Sequence, residues 1–278
     1  MVAPDRDRLR RAFRVPAAPT NDVAAPTPSL ERPDVRAFLQ SRLRPRPQVA
    51  LPPGDGGPIW RREIAHAADF VHGHVRLAAA RRLDGERLAV LAKDPSFGDL
   101  DPTTCLFLDT ETTGLAGGAG TMVFAYGLGF FRDDTFVFEQ LFLRDFGDEP
   151  AILRHVAARL AEFPVPVTFV GKSYDRHRIA ARLAVHRIEA PVLTKRHVDL
   201  YHLVRRAHKG TLPDARLATV ERHLLGVHRD DDLPGSEAPA AFLDWIRDGS
   251  GPVDRVLEHN RLDVLSLVAL LGVLVGRS

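Results

Sequence analysis

A chain of 278 residues, 45% apolar and 27% charged, has material for one large or two small domains and a sizeable core. Its most apolar stretch, residues 262–276, carries Asp263 within it and is shorter than the roughly 20 residues a membrane span needs, so a buried helix is expected there and no membrane partner. Residues 1–8 show no apolar segment after their charges and Cys105 is the lone cysteine; secretion and disulfide chemistry are disfavoured, and the cytoplasm is the expected location. The formal net charge of +2 hides a split, +5 over residues 1–100 and −3 over the rest. A basic arm beside an acidic region suits a phosphate polymer, although the bias to Arg, 34 against four Lys, also fits simple nucleotide composition.

Residues 1–58 are rich in Pro, Ala and Arg and read as a flexible basic arm, with one short helix over residues 33–43 where Val35, Phe38, Leu39 and Leu43 recur at helical spacing. Residues 59–103 read as an extension packed on the body, with small strands or helices. There His72-Gly73-His74 lacks a nearby acidic or cysteine ligand, and alternate residues of a strand face opposite ways, which disfavours metal binding. From residue 104 the pattern sharpens. The run Cys105-Leu106-Phe107-Leu108 predicts a buried strand delivering Asp109 at its end, and a Gly-rich turn covers residues 114–120. Residues 122–131 and 135–143 form a hairpin around Arg132-Asp133-Asp134. A helix from Glu149, a strand over 167–170, a helix over 175–186 and a fifth strand at Val198-Asp199-Leu200 follow, then helices over 217–225, 238–246 and 253–275. The expected fold is α/β: a mixed five-stranded sheet with helices on both faces, over residues 104–278.

Four carboxylates stand out within this frame. Asp109 and Glu111 are two apart, so on a strand they share a face and can grip cations together, but acids also end strands merely to meet water. Asp175 opens a helix, where a carboxylate also favours the positive helix end. Asp263 lies in an apolar helix, where an ionised carboxylate costs several kcal/mol unless a cation or hydrogen bonds compensate it. His259 precedes it by four and shares its helical face, either pairing with it or facing a common site. Asp230-Asp231-Asp232 lacks calcium-loop spacing and reads as a solvated loop. Lys172-Ser173 is not a phosphate loop, because Pro166 stands where the first glycine belongs.

The segments Leu108-Asp109-Thr110-Glu111-Thr112-Thr113-Gly114-Leu115, Gly171-Lys172-Ser173-Tyr174-Asp175 and His259-Asn260-Arg261-Leu262-Asp263 resemble, in order and setting, the three motifs of the DEDD exonucleases, a superfamily with the ribonuclease-H-like fold. The resemblance is to the YprB-like bacterial branch and extends to Gly117-Gly118-Ala119-Gly120-Thr121, Gln140-Leu141-Phe142-Leu143, Asp199-Leu200 and Leu233-Pro234-Gly235. It covers residues 59–275. The chain departs from that pattern with Val170 where Asn is usual and Tyr174 where Phe is usual. Its His259 stands four before the last Asp, a spacing associated with Tyr.

The resemblance implies a ribonuclease-H-like exonuclease domain over residues 104–278 and a 3′–5′ exonuclease that hydrolyses phosphodiester bonds and releases nucleoside monophosphates. It implies two divalent cations held by Asp109, Glu111, Asp175 and Asp263, with His259 activating water. Oxygen-only ligands favour Mg²⁺ or Mn²⁺ over Zn²⁺. The expected partner is nucleic acid with a free 3′ end, single-stranded DNA being favoured because an end must thread into the site. Thr112, Gly114 and Leu115 are expected at the terminal nucleotide, with Lys172, Ser173 and Asn260 as further nucleic-acid contacts. Two alternatives stay open: an RNA-processing nuclease using the same site, and an inactive nucleic-acid-binding module. Converging negative charges beside a polyanion argue against the second.

Overall fold

The computed structural model describes residues 50–67, 69–114, 120–190 and 196–276. The short helix expected at 33–43 and the body of the basic arm lie outside them, as do Leu115 and most of the Gly-rich turn.

In chain order the elements are β1 (Trp60–Ala67), the paired two-residue strands β2 (Val71–His72) and β3 (Val75–Arg76), α1 (Gly85–Ala92), β4 (Cys105–Thr112), β5 (Val123–Arg132) and β6 (Thr135–Phe142). Then come α2 (Glu149–Glu162), β7 (Val165–Thr168), α3 (Asp175–Val185), β8 (Val198–Asp199), α4 (Leu200–Ala207), α5 (Leu217–Val220), α6 (Ala238–Asp248) and α7 (Val253–Val275). Strands order as β1-β6-β5-β4-β7-β8, antiparallel from β1 to β4 and parallel from β4 through β8. The expected mixed sheet is therefore present with six strands, not five. The extra one is β1, which zips onto β6 along its whole length, from Trp60 opposite Phe142 to Ala67 opposite Thr135. Its Trp-Arg-Arg-Glu-Ile-Ala-His-Ala run mixes charge into both faces, as edge strands do to avoid stray pairing, and so lacks a clean strand signal.

The pleat of β4 splits the core. Leu106 and Leu108 join Phe124, Phe142, Leu153 and Phe242 on one side, while Cys105 and Phe107 join Phe138, Leu203, Leu267 and Leu271 on the other. Rings lock each layer, for example the stacked pair Phe124–Phe242 with centroids 4.3 Å apart. The apolar stretch around residue 270 is interior helix: Val268, Ala269, Leu270 and Leu271 are fully buried. Among the described residues, no helix is long and apolar enough to cross a membrane.

Two glycines on β5 bring α7 against the sheet. A Cβ at Gly127 would lie 2.6 Å from Asn260 Oδ1 and 2.8 Å from Val264 Cγ2; one at Gly129 would lie 2.8 Å from Val264 Cγ1. A strand glycine marks such close approach. Gly127 sits directly opposite Asp109 in the β4–β5 ladder, so this contact places α7 beside the end of β4.

Candidate active site

Asp109 and Glu111 sit near the end of β4, where the register slips between Glu111 and Thr112, a local irregularity that re-aims side chains at a strand end. Glu111 is buried at 8% exposure and Asp175, at the first turn of α3, at 6%. The Thr110 hydroxyl donates to Asp175 Oδ1, joining the first and second motifs. From α7, Asn260 donates through Nδ2 to Asp109 Oδ2 at 2.8 Å, while its own Oδ1 accepts from Gln140 Nε2 at 2.7 Å. Asn260, expected at the substrate, is fully buried, with one end of its amide on Asp109 and the other on Gln140.

Electrostatics tie these acids together. Burial pushes Asp109 well above the usual carboxylate range, and repulsion from Asp263 and Asp175 adds to it. Glu111 is raised for the same reasons, burial first, then Asp109, Asp263 and Asp175. Asp175 is pushed up to about 6 by burial, against the opposing hydrogen bond from Thr110. Segments far apart in sequence thus converge into a cluster of mutually repelling carboxylates, an arrangement that stays charged only if positive charge compensates it.

Part of that compensation is Arg229, which the sequence reading did not single out. Its guanidinium lies 2.5 Å from Asp263 Oδ1 and 3.1 Å from Asp232 Oδ2, and it also bonds Glu221. Glu221 in turn accepts from Ser266, whose hydroxyl meets His72 Nε2 at 2.8 Å. Burial, together with a positive neighbour in Arg229, lowers His72 to about 4, so it serves as a neutral partner in this chain. Glu221 begins a π turn over Glu221–Leu225, where a continuous α-helix was expected; such turns re-aim side chains inside a helix. Asp230 and Asp231 are exposed as expected of a solvated loop, but Asp232 is turned inward by Arg229 and His259. His259 Nδ1 lies 2.6 Å from Asp232, while its Nε2 stands 3.7 Å from Asp263, beyond hydrogen-bond length.

The remaining expected contacts divide. Thr112 Oγ1 meets the Tyr174 hydroxyl at 2.7 Å and the Gly114 carbonyl at 3.2 Å, and Tyr174 also donates to Gly114 at 3.1 Å, so these three form one polar edge. A Cβ at Gly114 would meet nothing within 4 Å. Ser173 is exposed and Lys172 partly so. The turn before Asp175 is hung from Asp199, whose carboxylate accepts from the backbone N–H of Val170 at 3.0 Å, Lys172 at 3.1 Å and Tyr201 at 3.2 Å. Val170 is held at φ 64, a conformation costly for a β-branched residue and easier for the Asn that the resemblance would place there.

The four carboxylates are oxygen donors of the kind hard divalent cations prefer, and the raised acids at Asp109 and Glu111 are what such charge would relieve. Set as they are, with Arg229 against Asp263, no three His, Cys, Asp or Glu side chains among the described residues form a ready ion cage. The residues therefore offer the donor chemistry of a divalent-cation site without forming its cage as they stand.

Residues 106–275 match the family model of the RNase_H superfamily. The chain belongs to that superfamily. Among individual proteins it is 36% identical over 166 residues to "Uncharacterized protein YprB" of Bacillus subtilis (strain 168), a match covering 59% of this chain and 40% of that one. The match thus spans well under half the curated relative. A solved structure, that of a family B DNA polymerase from the hyperthermophilic archaeon Pyrobaculum calidifontis, shares 18% identity over 60% of this chain and 23% of its own, with a TM-score of 0.46.

Proposed function

We propose that this chain is a metal-dependent 3′–5′ exonuclease that removes nucleoside monophosphates from single-stranded DNA. The observation that carries this reading is the cluster of Asp109, Glu111 and Asp175: one half-buried and two buried acids, each raised first by loss of water and further by Asp263. A fold does not keep such a cluster for stability, because each buried like charge costs free energy.

Asp109, Glu111, Asp175 and Asp263 would hold two Mg²⁺ or Mn²⁺ ions. Bound there, the ions would supply Lewis acidity toward the phosphate and lower the pKa of water. The chain's own groups do the rest. Asn260 fixes the rotamer of Asp109, and Thr110 that of Asp175. His259 Nε2 accepts the proton of the attacking water. The Thr112–Gly114–Tyr174 edge, with Leu115 next to it in sequence, receives the terminal nucleotide; Lys172 and Ser173 meet the backbone beyond it. Residues 1–58 act as a basic arm that gathers the polymer, 59–103 brace the nuclease body, and 104–278 form the exonuclease domain.

The decisive experiment incubates 5′-labelled single- and double-stranded DNA and RNA with the protein plus Mg²⁺ or Mn²⁺ and resolves products by length. A ladder shrinking from the 3′ end of single-stranded DNA is expected, and Asp109→Ala or Asp263→Ala should lower its rate by more than about 100-fold with the fold retained. Mutant activity equal to the parent's would falsify the site. The ion pair of Arg229 with Asp263 favours one second reading, a nuclease fold that binds nucleic acid without cutting. Retention of oligonucleotide with no cleavage under either cation would select it, whereas a ladder on RNA alone would reassign the substrate.

A further inference from the structure

A cleft of about 390 Å³ runs beside the acid cluster, lined among others by Arg229, Asp232, Gly235, His259 and Asp263. Within it Asp232 Oδ2 meets two partners, His259 Nδ1 at 2.6 Å and Arg229 Nη1 at 3.1 Å. His259 and Asp232 are 17% and 14% exposed at the side chain and Arg229 10%, so water competes weakly for these bonds.

The donor and acceptor roles follow from the chemistry. Arginine is protonated at all working pH values and only donates. Its fork reaches Asp232, Glu221 and Asp263, so the Asp232 oxygen that it shares with His259 accepts from it and is held in place facing the ring. The nitrogen of a neutral imidazole that meets an ionised carboxylate must be the one bearing hydrogen, which leaves the lone pair on the other nitrogen. That other nitrogen, Nε2, is the one directed toward Asp263, and no hydrogen bond occupies it there at 3.7 Å. A Cβ on Gly235 would come within 3.5 Å of Nε2, so the glycine of Leu233-Pro234-Gly235 keeps that side of the ring open.

We propose that Asp232 is a positioning residue for the reaction: clamped by Arg229, it holds His259 in the Nδ1–H tautomer with Nε2 bare toward the acid cluster. The assignment rests on His259 being the group that accepts the water's proton. It gives the third Asp of the Asp230-Asp231-Asp232 run a role distinct from its two exposed neighbours, and it explains why an arginine so near a cation site is useful. The guanidinium anchors the orienting carboxylate.

The test combines spectroscopy with kinetics on the full chain. Histidine-¹⁵N-labelled protein, with the His259 signals assigned by their absence in His259→Gln, should show Nδ1 protonated and Nε2 unprotonated in the neutral ring, read without added metal. In Asp232→Ala that signature should give way to a tautomer mixture, and kcat for 3′ trimming should fall by about 10- to 100-fold with KM unchanged within twofold. Asp232→Asn is the rescue variant. Arg229 still demands an oxygen at that spot, so the amide presents Oδ1 to Nδ1–H, and both tautomer and kcat should return most of the way to the parent. Thermal melts check that each variant is folded; should Asp232→Ala not fold, the tautomer in the parent and Asp232→Asn decides. A parent ring protonated on Nε2, or an Asp232→Ala protein with altered tautomer and unchanged kcat, overturns the proposal. A parent that cuts no oligonucleotide while showing the Nδ1–H signature overturns the nuclease reading, yet leaves Asp232 as the group that sets the imidazole.

Discussion

Two groups of buried carboxylates lie on the same sheet and are neutralised in opposite ways. On β6, Glu139 has no exposed side-chain surface and is surrounded by two arginines and a histidine: Arg61 at 3.0 Å, Arg159 at 2.8 Å and His155 at 2.9 Å. Burial alone would raise it, but the hydrogen bonds from His155 and Arg159 outweigh that and bring it down to about 2. At the end of β4, Glu111 is buried and Asp109 half-buried, yet their electrostatic neighbours are chiefly other acids and they are raised. Arg229 answers only part of that charge. The difference teaches that burial of an acid says little by itself. A carboxylate with dedicated partners holds the fold together, whereas acids set among other acids keep an uncompensated charge, the one that the proposed cations would answer.

That contrast can be broken by mutation. Glu139→Gln strands Arg61, His155 and Arg159 around a neutral group and should lower stability by about 3 kcal/mol, read as a shift of the urea midpoint, with 3′ trimming by the folded protein unchanged. Asp109→Asn removes one of several repelling charges and should raise the stability of the metal-free protein by about 1 kcal/mol while abolishing activity. Opposite signs are the essential outcome; two losses of similar size would show the acids at β4 to be ordinary structural partners.

The pH dependence sharpens the same point. Glu139 has its folded pKa, about 2, below the ordinary 4.5, so the unfolded chain binds the proton more readily. Its stabilising contribution is therefore complete above about pH 4.5 and is lost as pH falls through about 2. The stability gap between the parent and Glu139→Gln should be full at pH 7 and narrow progressively below pH 4.5. A gap that stayed constant down to pH 3 would mean that the ion pairs are not its source.

Another buried carboxylate, Asp199, at 1% exposure, is satisfied by backbone amides, those of Val170 and Lys172 in the turn before Asp175 and that of Tyr201 at the start of α4. Val170 carries the conformational cost of that turn. Val170→Asn should stabilise the protein by about 1 kcal/mol, the smallest of these effects; a loss of stability would show that the valine side chain contributes more than its backbone strain removes.

Much of the fold was legible because its signals are local. The apolar run before Asp109, the hairpin over β5 and β6, and the span of α7 follow from periodicity and turn residues, and the structure places them within a residue or two. The carboxylates stood out because acids inside an apolar pattern are conspicuous. What stayed hidden depends on partners far away in sequence. Arg229 is one arginine among many until the chain folds it onto Asp263, and Gly127 looks like a weak spot in a strand until Asn260 fills the space it leaves. Asp232 differs from Asp230 and Asp231 only in facing inward. β1 escaped because an edge strand with charge on both faces has no distinctive alternation, and the left-handed turn at Val170 because a β-branched residue is the last one expected there.

The claim on which everything else depends is that the acids at β4, α3 and α7 form a cation site. It is tested most directly by the thermal midpoint of the parent and of Asp109→Asn with and without millimolar Mn²⁺. Ligand that binds only the folded state stabilises it by mass action, so the parent should melt several degrees higher with Mn²⁺ and Asp109→Asn should hardly move. Equal shifts in the two proteins, or no shift in either, would contradict the claim.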